Sequence, residues 1–359
     1  MTTPRLNKLC AKFAEFKIDA LLVTKDVNVQ YLSQFTGDST WLLIKPDNHC
    51  LITDFRYIEQ AEKETCNFKI IRQNKGLIKK VKELTSRLKI KRLGFDASFI
   101  SYQGFQAINK ELKNQTRLVP TSNLIENLRA IKTPEEISLI RKTITCAGYG
   151  FERIKSFIQP GMTEKEVADQ MDYFMRQASD GFGSFWMIVA ADEHAAQPHA
   201  RVSLKKINHK SSILIDWGAI CKFYCSDTTR MLFLSGISDK WKRIYDIVLE
   251  AQRRAIEIIK PGVRIGDVDK AARNYIKQHG YGPNFGHSLG HGTGREVHEA
   301  PGVHSKNKAR LEPGMVFTVE PAIYLAGQGG VRIEDMALVT EHGCEVLTSE
   351  ISKDYILKK

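Results

Sequence analysis

Two carboxylate pairs and a cluster of histidines are the residues of this chain best suited to chemistry. Asp216 lies in Ser211-Ser-Ile-Leu-Ile-Asp-Trp-Gly, an apolar run with strand character, and Asp227 follows in Tyr224-Cys-Ser-Asp-Thr-Thr-Arg. A hairpin turning about Cys221 and Lys222 sets these two acids directly opposite one another, about 5 Å apart. Aspartate is a poor strand former, and its apolar neighbours point inward. Glu320, in Met315-Val-Phe-Thr-Val-Glu-Pro, and Glu334, in Val331-Arg-Ile-Glu-Asp-Met, stand symmetrically about Gly327 in a glycine-rich turn that suits a hairpin loop. The spacing again opposes two acids. Four buried carboxylates repel, and divalent cations are the compensation such a set calls for.

Of ten histidines, His287, His291 and His298 fall together in Gly286-His-Ser-Leu-Gly-His-Gly-Thr-Gly-Arg-Glu-Val-His-Glu. Glycine lets backbone and side chains crowd around a site. His199, in Gln197-Pro-His-Ala, precedes Asp216 closely enough to project from a neighbouring loop or strand. Carboxylates with an imidazole suit Mn²⁺, Co²⁺, Fe²⁺ or Zn²⁺, and thiolate-preferring ions are excluded. A pair of such metals, ~3.5 Å apart, holds a hydroxide nucleophile and polarises a carbonyl. That is the chemistry of amide hydrolysis. Cys221 and Cys225 lack the second cysteine pair that would complete a zinc site.

The elements that carry these residues repeat. Thr133-Pro-Glu-Glu starts a helix, with Thr133 as cap, Pro134 in the first turn and Glu136 completing a capping box. Its apolar face, Ile137 to Ile154, ends at Pro160-Gly161, and Thr163-Glu-Lys-Glu starts the next helix in the same way. Ile158-Gln-Pro-Gly returns as Ile259-Lys-Pro-Gly, and the same shift takes Val167 to Val268 and Phe174 to Tyr275. Each copy is followed by β-rich sequence, so residues 133–350 read as a duplicated helix-helix-sheet unit with the acids at its centre. Residues 6–120 read as a separate mixed α/β unit. It has a helix from Leu6, a strand near Ala20, a hairpin around Pro46-Asp47-Asn48 and helices near 56–64, 76–89 and 101–113. A boundary is expected between Thr121 and Lys132.

The order Asp216, Asp227, His291, Glu320, Glu334, in LIDWGA, SDTTR, GHSLGHGTG, VEPAIY and GGVRIEDMALV, resembles the pita-bread metallopeptidases. Within them the match is strongest to the proline-directed members, aminopeptidase P and prolidase. The resemblance implies an α+β fold: a C-terminal pita-bread catalytic domain over residues 133–359, preceded by a smaller α/β domain of the creatinase/prolidase type over 1–125. It implies two divalent metals, manganese foremost, with Asp216 on one, His291 and Glu320 on the other, and Asp227 and Glu334 bridging. His298 would contact the scissile carbonyl, His199 would line the proline pocket, Glu320 would shuttle a proton, and His287 and Arg332 would be pocket or supporting positions. One departure stands out: Ala191-Asp-Glu-His-Ala-Ala-Gln replaces the family's usual stretch before Pro-His-Ala. That puts the shape of this loop, and substrate preference, in question.

The implied activity is removal of the N-terminal residue from Xaa-Pro peptides by a metal-bridged hydroxide, with prolidase, restricted to dipeptides, as the alternative. Methionine aminopeptidases normally lack an N-terminal domain of this size, and creatinase does not need this metal set. Relatives that have lost their metals act as binding proteins, and the full ligand set argues against that reading here. The net charge of +12, from 53 Lys and Arg against 41 Asp and Glu, is scattered and forms no basic block, so neither nucleic acid nor membrane is an expected partner. Seven cysteines without a CxxC pair suit reduced thiols in a cytoplasm. The opening Met-Thr-Thr-Pro-Arg is not that of a secretory signal. A homodimer is the family's usual assembly.

Overall fold

The apolar runs of residues 20–52 are nearly continuous because both faces of their sheet are covered. The computed structural model, which describes residues 2–179, 181–354 and 356–357, divides into two units, 1–128 and 129–359. In the first unit, six strands run in the order Lys69–Arg72, Asn48–Thr53, Trp41–Lys45, Ala20–Val23, Arg92–Asp96 and Arg117–Thr121. Leu21, Val23, Leu42 and Ile44 enter one core with Leu6, Leu9 and Phe13. Ala20, Leu22 and Leu43 enter the other with Val81, Leu84, Ile108 and Leu112. Period-two alternation thus fills both layers. The stretch 121–132, expected as a boundary, carries the helix Leu124–Ala130, because Leu124 and Ile125 are buried in the first of those cores. The cut between the units falls within that helix, between Leu128 and Arg129.

The second unit contains two helix pairs, Pro134–Phe157 with Glu164–Ala178 and Asp239–Glu257 with Ile265–Gln278. Both capping boxes form: Thr133 with Glu136, and Thr163 with Glu166. Each pair is followed by a sheet. One has the order Ile356–Leu357, Thr228–Leu234, Ser212–Trp217, Ile188–Ala191. The other has Glu299–Val303, Gly290–Gly292, Val316–Val319, Asp335–Val339, Cys344–Val346. The duplication extends to isolated bridges, Thr163 with Lys206 in one copy and Arg264 with Arg310 in the other. Ile213, Ile215 and Trp217 enter the core of the first helix pair, while Leu214 points to that of the second. Each such fully buried aliphatic contributes about 1.5–3 kcal/mol. Among the described residues no helix is long and apolar enough to cross a membrane.

The register of the two acid-bearing hairpins is where expectation and structure part. In the second, Val319 pairs with Asp335 and Ala322 with Arg332, so Glu320 comes opposite Glu334 as the spacing requires. In the first, Asp216 pairs with Thr229, not Asp227. The turn is Lys222-Phe223, with Cys221 against Tyr224. Both turn residues are left-handed, at φ 49° and 64°, the signature of a primed two-residue turn. One residue of displacement in the turn moves the register by two, which keeps Asp227 on the face of Asp216 but diagonal to it.

Candidate metal centre

Five side chains converge from the ends of these strands. Asp216 is the penultimate residue of Ser212–Trp217, Asp227 immediately precedes Thr228–Leu234, and Glu334 immediately precedes Asp335–Val339. Glu320 immediately follows Val316–Val319, and His291 is central in Gly290–Gly292. The glycines around His291 are steric necessities. A Cβ at Gly290 would lie 2.0 Å from the Thr318 carbonyl oxygen, and one at Gly292 would lie 2.1 Å from that of Ala300. The end of the Asp216 strand is pinned by Trp217, whose ring stacks on Phe151 at 4.6 Å and whose indole N–H donates to the Ala147 carbonyl.

The ligand atoms of Asp227, His291 and Glu334 lie within 4.8 Å of one another. His291 Nε2 is 3.5 Å from Asp227 and 3.4 Å from Glu320. Its Nδ1 lies 3.2 Å from the Gly292 carbonyl, which assigns the ring proton to Nδ1 and leaves the Nε2 lone pair facing two carboxylates. Burial, and secondarily His298, push His291 down to about 4, so at neutral pH this is a neutral ring. With the acids ionised, acceptors face acceptors, an arrangement that a cation resolves. The acids tell the same story. Burial, then Glu334, Asp216 and Glu320, holds Asp227 well above the carboxylate range. Burial, then Glu320 and Asp216, does the same to Glu334, and burial raises Glu320 to about 8. Asp216 is also raised by burial, with Arg332 opposing. Asp216 Oδ1 and Glu334 Oε1 are buried without a hydrogen-bond partner. Two orphaned oxygens beside a neutral imidazole fit divalent cations, which act as hard acceptors of oxygen and imidazole ligands.

Polar groups behind the acids orient them. Arg332 donates to Asp216, to Thr229 Oγ1 at 3.0 Å, to the Pro198 carbonyl at 3.0 Å and to the Tyr324 hydroxyl at 2.7 Å. Four of its five N–H groups are thereby engaged, so Arg332 braces the cluster. Thr229 in turn donates to Glu334 at 2.7 Å, and Thr318 to Glu320 at 3.1 Å. Tyr324 lies 3.1 Å from His287 Nε2, and burial pushes His287 down to about 4. His298 is exposed, its ring 4.2 Å from that of His291. His199 is exposed as well, near enough to Asp216 to act on its carboxyl. Thr229, Thr318 and Tyr324 were not singled out from sequence. The correct hairpin register would have exposed Thr229 as the partner of Asp216.

Further back, Glu299, the neighbour of His298, is held by Arg129 and by Lys132 at 2.9 Å, and these two cations are almost fully buried. Arg273 donates to the carbonyls of Phe285 and His287, and Asp269 accepts from the Leu289 amide, fixing the backbone that leads to His291.

The model of metallopeptidase family M24 matches residues 138–341, and that of the creatinase/prolidase N-terminal domain matches residues 5–131. The chain belongs to the M24 metallopeptidases, in their proline-directed branch, and is a hydrolase. Its α+β fold joins the family's pita-bread catalytic domain to that N-terminal domain. It is 36% identical over 349 residues to a Xaa-Pro dipeptidase of Pyrococcus furiosus, spanning 96% of this chain and 97% of that one. A solved Xaa-Pro dipeptidase from Bacillus anthracis superposes with a TM-score of 0.96 at 41% identity, over 99% of this chain and 100% of the other. A solved X-Pro aminopeptidase from Thermotoga maritima gives 0.89 at 36%, over 96% and 99%.

Proposed function

We propose that this chain is a prolidase, hydrolysing the peptide bond of Xaa-Pro dipeptides with two divalent cations, Mn²⁺ foremost. The observation that carries this is the convergence of Asp216, Asp227, Glu320 and Glu334 on the neutral ring of His291. Those five residues would hold the metals. Bound there, divalent cations lower the pKa of water toward ~7 and act as a Lewis acid on a carbonyl. The remaining work belongs to side chains. His298, exposed beside His291, donates to the scissile oxygen as it gains charge. Glu320, oriented by Thr318, takes a proton at its carboxylate and passes it to the departing proline nitrogen. His199 lines the proline side of the pocket, and His287 contacts substrate from the Tyr324 side. Arg332 keeps Asp216 aimed at the cluster.

The choice of dipeptides over longer peptides rests on the similarity to the dipeptidases of Pyrococcus furiosus and Bacillus anthracis. It displaces Xaa-Pro aminopeptidase, the leading reading from the residues alone. That remains the second reading, favoured by the likeness to the Thermotoga maritima enzyme. Assays of Ala-Pro against Ala-Pro-Ala, with Mn²⁺, Co²⁺ and Zn²⁺ added separately, separate them. Faster cleavage of Ala-Pro supports the prolidase, and faster cleavage of the tripeptide supports the aminopeptidase. Absence of cleavage of both overturns the proline-directed activity. We further infer a cytoplasmic homodimer that acts on peptides and not on nucleic acid. Light scattering tests the assembly.

A further inference from the structure

The loop that departs from the family's usual sequence has an anchor of its own. Glu164, in the first turn of helix Glu164–Ala178, is completely buried. Its carboxylate accepts the Ala191 amide at 2.8 Å, the Ser203 amide at 3.1 Å and the Ser203 hydroxyl at 2.6 Å. His194 Nδ1 lies 2.9 Å from both oxygens. A carboxylate only accepts, so Nδ1 carries the proton. One acid thereby ties both ends of segment 191–203, and His194 near its start, to a single point. Asp192 adds a second tie, accepting from the Ser212 amide at 2.9 Å and the Ser211 hydroxyl at 2.7 Å, at the start of the strand that bears Asp216. Between these ties the segment presents His199, and the Pro198 carbonyl receives Arg332, which also grips Asp216.

We propose that Glu164 and His194 are positioning residues for substrate: together they set the loop that presents His199 to the proline side of the pocket. The departure at residues 191–197 is, in this view, an alternative scaffold for the same histidine, with His194 supplying the donor that holds the short 3-10 turn Asp192–Ala196. The carboxylate keeps three other donors when His194 is replaced, so the fold survives that change, whereas Glu164→Gln would turn an amide N–H against one of its donors. The inference uses the proline-directed reading for the role of His199.

The test is His194→Phe, which keeps a ring and removes the donor, alongside His194→Gln, which restores an N–H. With Ala-Pro as substrate and metal content measured on each protein, His194→Phe should raise KM about tenfold and leave kcat and metal content near wild type. His194→Gln should recover most of the KM. Hydrogen exchange should quicken at the Ala191 and Ser203 amides in the Phe variant only. Unchanged KM with unchanged exchange overturns the proposal, as does metal loss with a fall in kcat, which would assign the network to the metals. Should the wild type cleave no Xaa-Pro peptide, the activity reading fails, and the anchor stands or falls on the exchange measurement alone.

Discussion

His291 and His298 have rings 4.2 Å apart and differ in what surrounds them. His291 is mostly enclosed and faces acids, while His298 is exposed. His291→Ala is therefore expected to lower metal occupancy. His298→Ala is expected to keep the metal and cut kcat by ~10²–10³-fold, the usual loss for one donor to a developing oxyanion. Metal stoichiometry with steady-state kinetics reads both, and metal loss confined to His298→Ala would reverse the assignment. The acids make a second prediction, for protein stripped by chelator. Glu320 sits at about 8 against an ordinary 4.5, so between those values the folded chain keeps a proton that the unfolded chain has released. Stability from this group is fully present below 4.5 and is lost as pH rises through about 8. Asp227, Glu334 and Asp216 are shifted in the same direction. His287 and His291, held at about 4 against an ordinary 6.5, act in the opposite sense below 6.5, so the melting temperature of the stripped protein should fall from about pH 6.5 to about pH 8. A rise across that range would show that the acids do not share a buried site.

Among the elements, the strands that begin just after Asp227 and Glu334 are joined by Arg230. This fully buried guanidinium pairs with Asp335 and donates to the carbonyls of Glu334, Thr229 and Ile351. Arg230→Ala strands Asp335 with Lys353 as its remaining cation and should cost about 3 kcal/mol or more. Denaturant titration checks this, and a loss below about 1 kcal/mol would mean that the sheets do not depend on the tie. How these elements were read in sequence follows their local chemistry. Both capping boxes, the hairpin about Gly327 and the repeated helix-Pro-Gly were legible because caps, glycine turns and amphipathic faces are local signals. The turn at Lys222-Phe223 was misplaced by one residue because neither residue advertises a left-handed conformation. The strand Arg117–Thr121 escaped because Pro120 argues against a strand, and it is tolerated there on a sheet edge. The site acids were readable because charge is anomalous in apolar strands. Thr229, Thr318 and Tyr324 were not, since a threonine or tyrosine in a strand is ordinary.

For the molecule as a whole, the cations would act as ligands of the native state alone. Saturation to about a hundred times the dissociation constant adds ~2.7 kcal/mol of stability. Manganese added back to stripped protein should raise its melting temperature in a concentration-dependent way, more for wild type than for His291→Ala. Equal shifts for the two proteins would place the stabilising metal elsewhere. The arrangement of the acids also has a consequence for the order of folding. Each pair sits on its own hairpin, whose strands close over short chain distances, whereas the bond from Thr229 to Glu334 spans 105 residues. Local closures come early and long-range ones late. Each hairpin can therefore form before it meets the other, and the repulsion among all the acids is deferred to the final docking of the two halves. A refolding time course should accordingly show a late phase that manganese accelerates, with the earlier phases indifferent to it.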